Sequence, residues 1–215
     1  MKPHSDPENA GDPASEPAPL NFVTLLLAAG ASSRMGQSKQ LLDVGGMPLL
    51  RRSAEVALTS GSSAVVVVLG ANEEPHRDVI ADLPVEVVVN HYWKSGMGSS
   101  IKTGLHYILH DHGEATAVLI MVCDQPELSS SHLVLLRDHY THSQKKIAAS
   151  AYDNTLGVPA MFGRSFFSNI LMLRDDQGAK KIIDQFAEQV VSIPFPAGSI
   201  DLDTSDDYTR YLGNQ

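Results

Sequence analysis

The chain has 215 residues, 43% of them hydrophobic, which is enough to bury one sizeable core, and nothing in it reads as a second core. Sixteen basic and 25 acidic residues give a formal charge of −9, which argues against a nucleic-acid surface of clustered Lys and Arg but is compatible with a local basic pocket for a small phosphate ligand. The single cysteine, Cys123, excludes an intrachain disulfide and fits a reducing, cytoplasmic setting.

Residues 1–20 are rich in Pro, Ala, Glu, Asp and Ser and hold no apolar run, so they read as a disordered tail and not as a signal peptide or anchor. One domain is expected over residues 21–215. No later run reaches the roughly 18 to 20 apolar residues of a membrane span, so no membrane partner is expected.

From there, apolar runs alternate with amphipathic ones. Strands are predicted at residues 22–29, Ala64–Leu69, 85–89, 116–122 and 147–151. Helices are predicted at 48–59, 73–81, from Ser99 as a cap to about His110, and at 129–142. Strands without polar alternation, separated by helices, indicate a mostly parallel sheet covered on both faces, a Rossmann-like three-layer α/β/α sandwich. In such sheets ligands lie beyond the carboxyl ends of the strands, so the segments after Ala29, Leu69, Val89 and Val122 are where chemistry is expected.

The run Leu27-Ala28-Ala29-Gly30-Ala31-Ser32-Ser33-Arg34-Met35-Gly36-Gln37-Ser38-Lys39-Gln40-Leu41-Leu42 follows the first strand. Its small residues let backbone N–H groups approach a phosphate, and Arg34 and Lys39 can balance a triphosphate's charge. It fits neither a Walker loop nor a dinucleotide fingerprint. Asp124, at the end of the most apolar strand and followed by Gln125-Pro126, is suited either to hold Mg²⁺ against phosphate oxygens or to cap the next turn.

The sixteen-residue run resembles the loop of the MobA-like NTP transferase family, which includes molybdenum cofactor guanylyl- and cytidylyltransferases. The resemblance implies a nucleotidyltransferase fold whose loop wraps a nucleoside triphosphate through Ala28, Ala29, Gly30, Arg34 and Lys39. Guanylyl members look like Leu-Ala-Gly-Gly at the loop start and cytidylyl-type members like Ala-Ala-Gly; Ala28-Ala29-Gly30 resembles the second, which implies CTP. Asp124-Gln125-Pro126 is similar to the family's metal-binding motif. Asp201-Leu202-Asp203-Thr204-Ser205-Asp206-Asp207 resembles its closing element, with Ser205 where proline is usual. Asp203 is expected as the second metal carboxylate, and Thr204 or Ser205 as cap of a last helix.

The segment from Asn90 through Gly96-Met97-Gly98-Ser99-Ser100 is similar to a family segment lining the active site, which implies Asn90, Gly98 and Ser99 as nucleotide-binding. Gly157-Val158-Pro159-Ala160-Met161-Phe162 and Leu173-Arg174-Asp175-Asp176-Gln177-Gly178-Ala179-Lys180 resemble acceptor-facing elements, implying Pro159 and Lys180. Asp175 departs from the usual glycine, and Lys180 from an arginine whose bidentate fork it cannot reproduce. His106, His110, His112, His139 and His142 read as solvated surface, Trp93 as a packing or acceptor-stacking group, and Cys123 as a buried small apolar residue.

The resemblance implies a Mg²⁺-dependent transfer of CMP from CTP to the terminal phosphate of molybdopterin, with Arg34, Lys39 and Asp124 as catalytic residues. It also implies a molybdenum hydroxylase apoenzyme as a protein partner. It leaves open another base or acceptor, reduction of a pigment, and a non-catalytic protein that binds the molybdenum cofactor and hands it on.

Overall fold

The computed structural model describes residues 20–213, so the expected tail lies, apart from Leu20, outside the described residues. Seven strands, β1 (Phe22–Leu27), β2 (Ala64–Leu69), β3 (Glu86–Val89), β4 (Ala117–Val122), β5 (Ile147–Tyr152), β6 (Thr155–Gly163) and β7 (Val190–Pro194), form one sheet in the order β3-β2-β1-β4-β6-β5-β7. All neighbours pair in parallel except β6, which runs antiparallel to both β4 and β5. The sheet is therefore mostly parallel, as the unbroken apolar runs predict.

The two faces are read off β1 residue by residue. Val23, Leu25 and Leu27 point into one core with Ile101, Leu105 and Ile108 of α3 (Met97–Asp111), Ile170 of α5 (Phe167–Leu171) and Ile182 of α6 (Lys180–Gln185). Phe22 and Leu26 point into the other, with Leu50, Ala54 and Ala57 of α1 (Leu49–Leu58) and Leu133 and Leu136 of α4 (Ser130–His142). Strand period 2 thus serves two helix layers, giving the α/β/α sandwich.

A third, smaller cluster matters more for the site. Met35, Leu42, Val44 and Leu49, from the loop after β1 and the start of α1, pack with Leu202 and with Tyr211 of α7 (Ser205–Gly213). Thr204 caps α7. Its Oγ1 accepts from the Asp207 backbone N–H at 3.2 Å, while Asp207 Oδ2 accepts from the Thr204 N–H at 2.9 Å, a reciprocal capping box. Cap and cluster together fix Asp203 beside the loop.

Some boundaries move. Helix α3 begins at Met97, two residues before the expected cap, because Gly96 at φ 126° supplies the N-cap and Ser99 Oγ donates to the Gly96 carbonyl at 2.8 Å. The helix predicted at 73–81 stops early, as α2 (Glu73–Asp78). Among the described residues no helix is long and apolar enough to cross a membrane.

Candidate active site

The carboxyl ends of β1 and β4 and the loop before α3 surround a cleft of 340 Å³, lined by Ala28, Ala29, Gly30, Lys39 and Asp124 among others. Arg34, Lys39, Asp124 and Asp203, expected together from the sequence, converge at it. Lys39 Nζ donates to Asp124 Oδ2 at 2.6 Å and to Asp203 Oδ1 at 3.0 Å, and Arg34 donates to Asp203 Oδ2 at 2.8 Å. The Lys39 side chain is 15% exposed and that of Arg34 71%, so the first is an internal charge and the second a solvent-facing one at the rim.

Burial penalises the Lys39 ammonium, yet attraction and hydrogen bonding from Asp124 outweigh it and hold its pKa above the ordinary lysine range. Burial likewise opposes charge on Asp203, but hydrogen bonding and attraction from Lys39, then from Arg34, bring its pKa below the usual value. Asp201 differs from its neighbour. Burial, then the charges of Asp124 and Asp203, push its carboxyl up to about 6.

The loop's shape comes from a residue the sequence reading did not single out. Gln40, 1% exposed, donates through Nε2 to the Ala28 carbonyl at 3.0 Å and the Gly30 carbonyl at 2.8 Å. Its Oε1 accepts from Ser32 Oγ at 3.0 Å and Ser38 Oγ at 2.8 Å, and the Lys39 N–H donates to Ser32 Oγ at 3.0 Å. Ser32 sits at φ 54°, in the left-handed region that turns the chain back, and these bonds hold it there. His76 of α2, fully buried, completes the set by contacting Ser38 Oγ through Nε2. Within that run Gln40 is one neutral amide among the glycines and basic residues, with no charge or glycine to mark it.

The expected nucleotide residues Asn90, Gly98 and Ser99 are placed differently. Asn90 is buried, donating to Ser99 Oγ at 2.8 Å and Ser100 Oγ at 3.0 Å while accepting from the Tyr92 N–H at 2.9 Å. The Gly98 N–H donates to the Asp175 carbonyl at 2.8 Å, and a Cβ there would meet the Arg174 carbonyl at 2.2 Å. All three brace the loop before α3 from within. The cleft is lined from this side by Trp93, Lys94, Gly96, Met97 and Ser100.

Beyond Leu27, Met97 and Val122, which line both spaces, an apolar cavity of 110 Å³ continues the cleft. Gly157, Val158 and Lys180 line it; Lys180 pairs with Asp184 at 2.7 Å. Pro159 is buried, its carbonyl accepting from Ser150 Oγ at 2.7 Å. Cys123 is 2% exposed, and burial followed by the charge of Asp124 pushes its thiol up to about 12, so it packs as a small apolar group. His110 is exposed, as are His106, His139 and His142, whereas His112 is half-buried and contacts Glu86 at 2.8 Å.

The family model for the MobA-like NTP transferase domain matches residues 24–190, from β1 to the start of β7. The chain belongs to this family. With it comes the activity class, a nucleotidyltransferase related to molybdenum cofactor guanylyltransferases. Over 143 residues, 65% of this chain and 66% of the other, it is 38% identical to a protein named nicotine blue oxidoreductase from Paenarthrobacter nicotinovorans. It is 30% identical over 115 residues to a probable molybdenum cofactor guanylyltransferase from Bacillus cereus, spanning 54% of that protein's length. The crystal structure of Rv0371c from Mycobacterium tuberculosis superposes with a TM-score of 0.78 at 28% identity, covering 90% of this chain and 98% of that one. Rv0371c has also been crystallised in complex with manganese.

Proposed function

We propose that this nucleotidyltransferase moves CMP from CTP to the terminal phosphate of molybdopterin, releasing pyrophosphate. The observation that carries the reading is the Lys39 ammonium joined to Asp124 and Asp203 on the wall of a cleft built from the first βα turn. Ala29 supports the choice of base. Ala29 lines the cleft with Trp93, and its methyl stands where members resembling the guanylyl type carry a glycine. The apolar cavity continuing past Val158 and Lys180 suits a flat heterocyclic acceptor.

Two carboxylates facing one cation are a fitting oxygen donor set for a hard divalent ion, since Mg²⁺ is commonly held by one or two carboxylates plus substrate phosphates. Among the described residues no group of three His, Cys, Asp or Glu has metal-holding geometry, which leaves the remaining positions to phosphate oxygens and water. Asp124 and Asp203 would hold the ion, and when bound it supplies Lewis-acid neutralisation of phosphate charge.

The chain's own residues do the rest. An acceptor phosphate oxygen forms a bond to the α-phosphorus as the bond to the leaving pyrophosphate breaks; the nucleophile is already an anion and needs no strong base. Lys39, held charged, and Arg34 at the rim take up the negative charge that builds on the phosphate oxygens. The cleft aligns the two phosphates, so alignment and charge neutralisation carry the catalysis.

The test is incubation with labelled CTP, GTP or ATP, Mg²⁺ and molybdopterin, scored for pyrophosphate, beside the rise in melting temperature each nucleotide gives with Mg²⁺. CTP alone should support turnover. Release of pyrophosphate only with GTP or ATP overturns the base, and none with any of the three overturns the transfer. The relative named an oxidoreductase motivates a second reading, reduction of a conjugated pigment by an added hydride donor such as a reduced nicotinamide nucleotide, which donor-dependent loss of the pigment's colour with matching oxidation of the donor and no pyrophosphate release would support.

A further inference from the structure

The carbonyls at the start of the loop are all engaged. Those of Ala28 and Gly30 accept from Gln40 Nε2, and that of Ala29 accepts from the Ala71 N–H at 3.0 Å. The N–H groups of residues 29–34 have no partner among the described residues. Four of the six residues, Ala29, Gly30, Ala31 and Ser33, line the cleft together with Gln40. At Ala29 and Gly30 the wall that a nucleotide meets therefore offers free N–H donors and no free carbonyl.

Gln40 produces this polarity. Its amide orientation is fixed from both ends: two serine hydroxyls donate to Oε1, so the two N–H bonds of Nε2 must face the carbonyls. By drawing two carbonyls inward, it turns the intervening amides outward. A buried side chain with every bond satisfied costs free energy to rearrange, so the orientation is stiff.

We infer that Gln40 is a specificity-determining positioning residue that sets the base preference by presenting amides and withholding carbonyls. The inference rests on the reading of this cleft as a CTP site. Cytosine offers two adjacent acceptors, O2 and N3, to a donor wall. On the corresponding Watson–Crick edge guanine offers only O6 beside N1–H and an exocyclic amine, and those donors would lose their water without gaining a partner. Gln40 touches no substrate in this arrangement and acts through the peptide planes of residues 28–30.

The experiment compares wild type with Gln40→Met, which keeps the volume and removes both donors and the acceptor. kcat/KM for CTP and GTP and the Kd of each nucleotide are measured with Mg²⁺. Release of the carbonyls should lower the CTP-to-GTP ratio by about tenfold, the scale of one hydrogen bond made or lost in a desolvated site. A residue that merely holds the loop together would, on removal, depress both nucleotides alike, and an unchanged ratio overturns the inference. Should Gln40→Met be too unstable to assay, Gln40→Glu keeps the oxygen that Ser32 and Ser38 bind, loses the donors, and carries the same expectation. The wild-type ratio tests the base reading separately. A wild type that prefers GTP overturns CTP as substrate, while the Gln40 inference is judged on the shift alone.

Discussion

The backbone N–H of Leu202 donates to the carbonyl of Asp124 over 3.0 Å, and that bond ties the last acidic segment to the end of β4. The Leu202 side chain is fully buried in the cluster with Met35 and Leu49, which holds the neighbouring Asp203 where it reaches both Lys39 and Arg34. Leu202→Ala should cost about 2 to 5 kcal/mol of stability, as buried leucine truncations do. It should also lower activity as Asp203→Ala does, although residue 202 touches no substrate. Thermal melts beside turnover check this; a destabilised but fully active variant would show that Asp203 is positioned by other contacts.

Lys39→Ala should reduce kcat by about 100-fold or more while changing nucleotide Kd far less, because its charge is aimed at oxygens whose charge grows in the transition state. The variant also leaves Asp124 and Asp203 without their shared cation, so its melting temperature should fall in the absence of divalent metal and recover when metal is added. Single-turnover rates and nucleotide titration separate the two effects. Equal losses in kcat and affinity would assign Lys39 to ground-state binding.

Gly98→Ala tests whether the loop before α3 is a brace or a nucleotide contact. The new methyl would lie 2.2 Å from the Arg174 carbonyl and 2.8 Å from that of Gln177, forcing the turn that leads into α6 away from α3. That turn runs on to Lys180, which lines the apolar cavity proposed to take the acceptor. The expected result is a stability loss of about 1 to 3 kcal/mol and a raised KM for the acceptor, with nucleotide KM nearly unchanged. A selective rise in nucleotide KM would return Gly98 to the nucleotide side.

The first half of the fold is legible because each apolar run of β1, β2 and β4 is buried on both faces and needs no partner to be recognised. Legibility ends after α4 and β5, which fall where the sequence places them. Strand β6 contains Gly157, Pro159 and Gly163, which read as a loop until β4 and β5 are seen pairing on either side, and α5 and α6 are too short to show a period. At the site, Asp124 stands out at the end of an apolar strand and Arg34 and Lys39 in a loop of small residues, whereas Asp203 is singled out only by resemblance, and the structure brings the four into one ion-pair network. Gln40 and Leu202 were not, since a buried amide and one leucine look the same in a sequence whatever they hold. Asn90 and Ser99 mislead for the opposite reason: polar groups suggest a ligand, and here they satisfy each other.

His132 makes the protein's stability pH-dependent in a direction that can be stated. Its Nε2 lies 2.8 Å from Ser150 Oγ, which itself donates to the Pro159 carbonyl, so Nε2 carries a proton and donates to the serine. The ring stacks on Phe195 at 4.2 Å, and burial lowers its pKa from 6.5 to about 4. A histidine depressed in the folded state binds its proton first in the unfolded chain. Its contribution is therefore intact above pH 6.5 and is lost progressively as pH falls toward 4. His76, lowered in the same sense by burial, adds to the slope. Urea midpoints between pH 7 and pH 4 should fall steadily for wild type, and His132→Gln, which keeps an N–H donor but cannot titrate, should give a shallower decline. The same slope in both proteins would mean that His132 takes up its proton equally in the folded and unfolded chains and contributes nothing to the pH dependence.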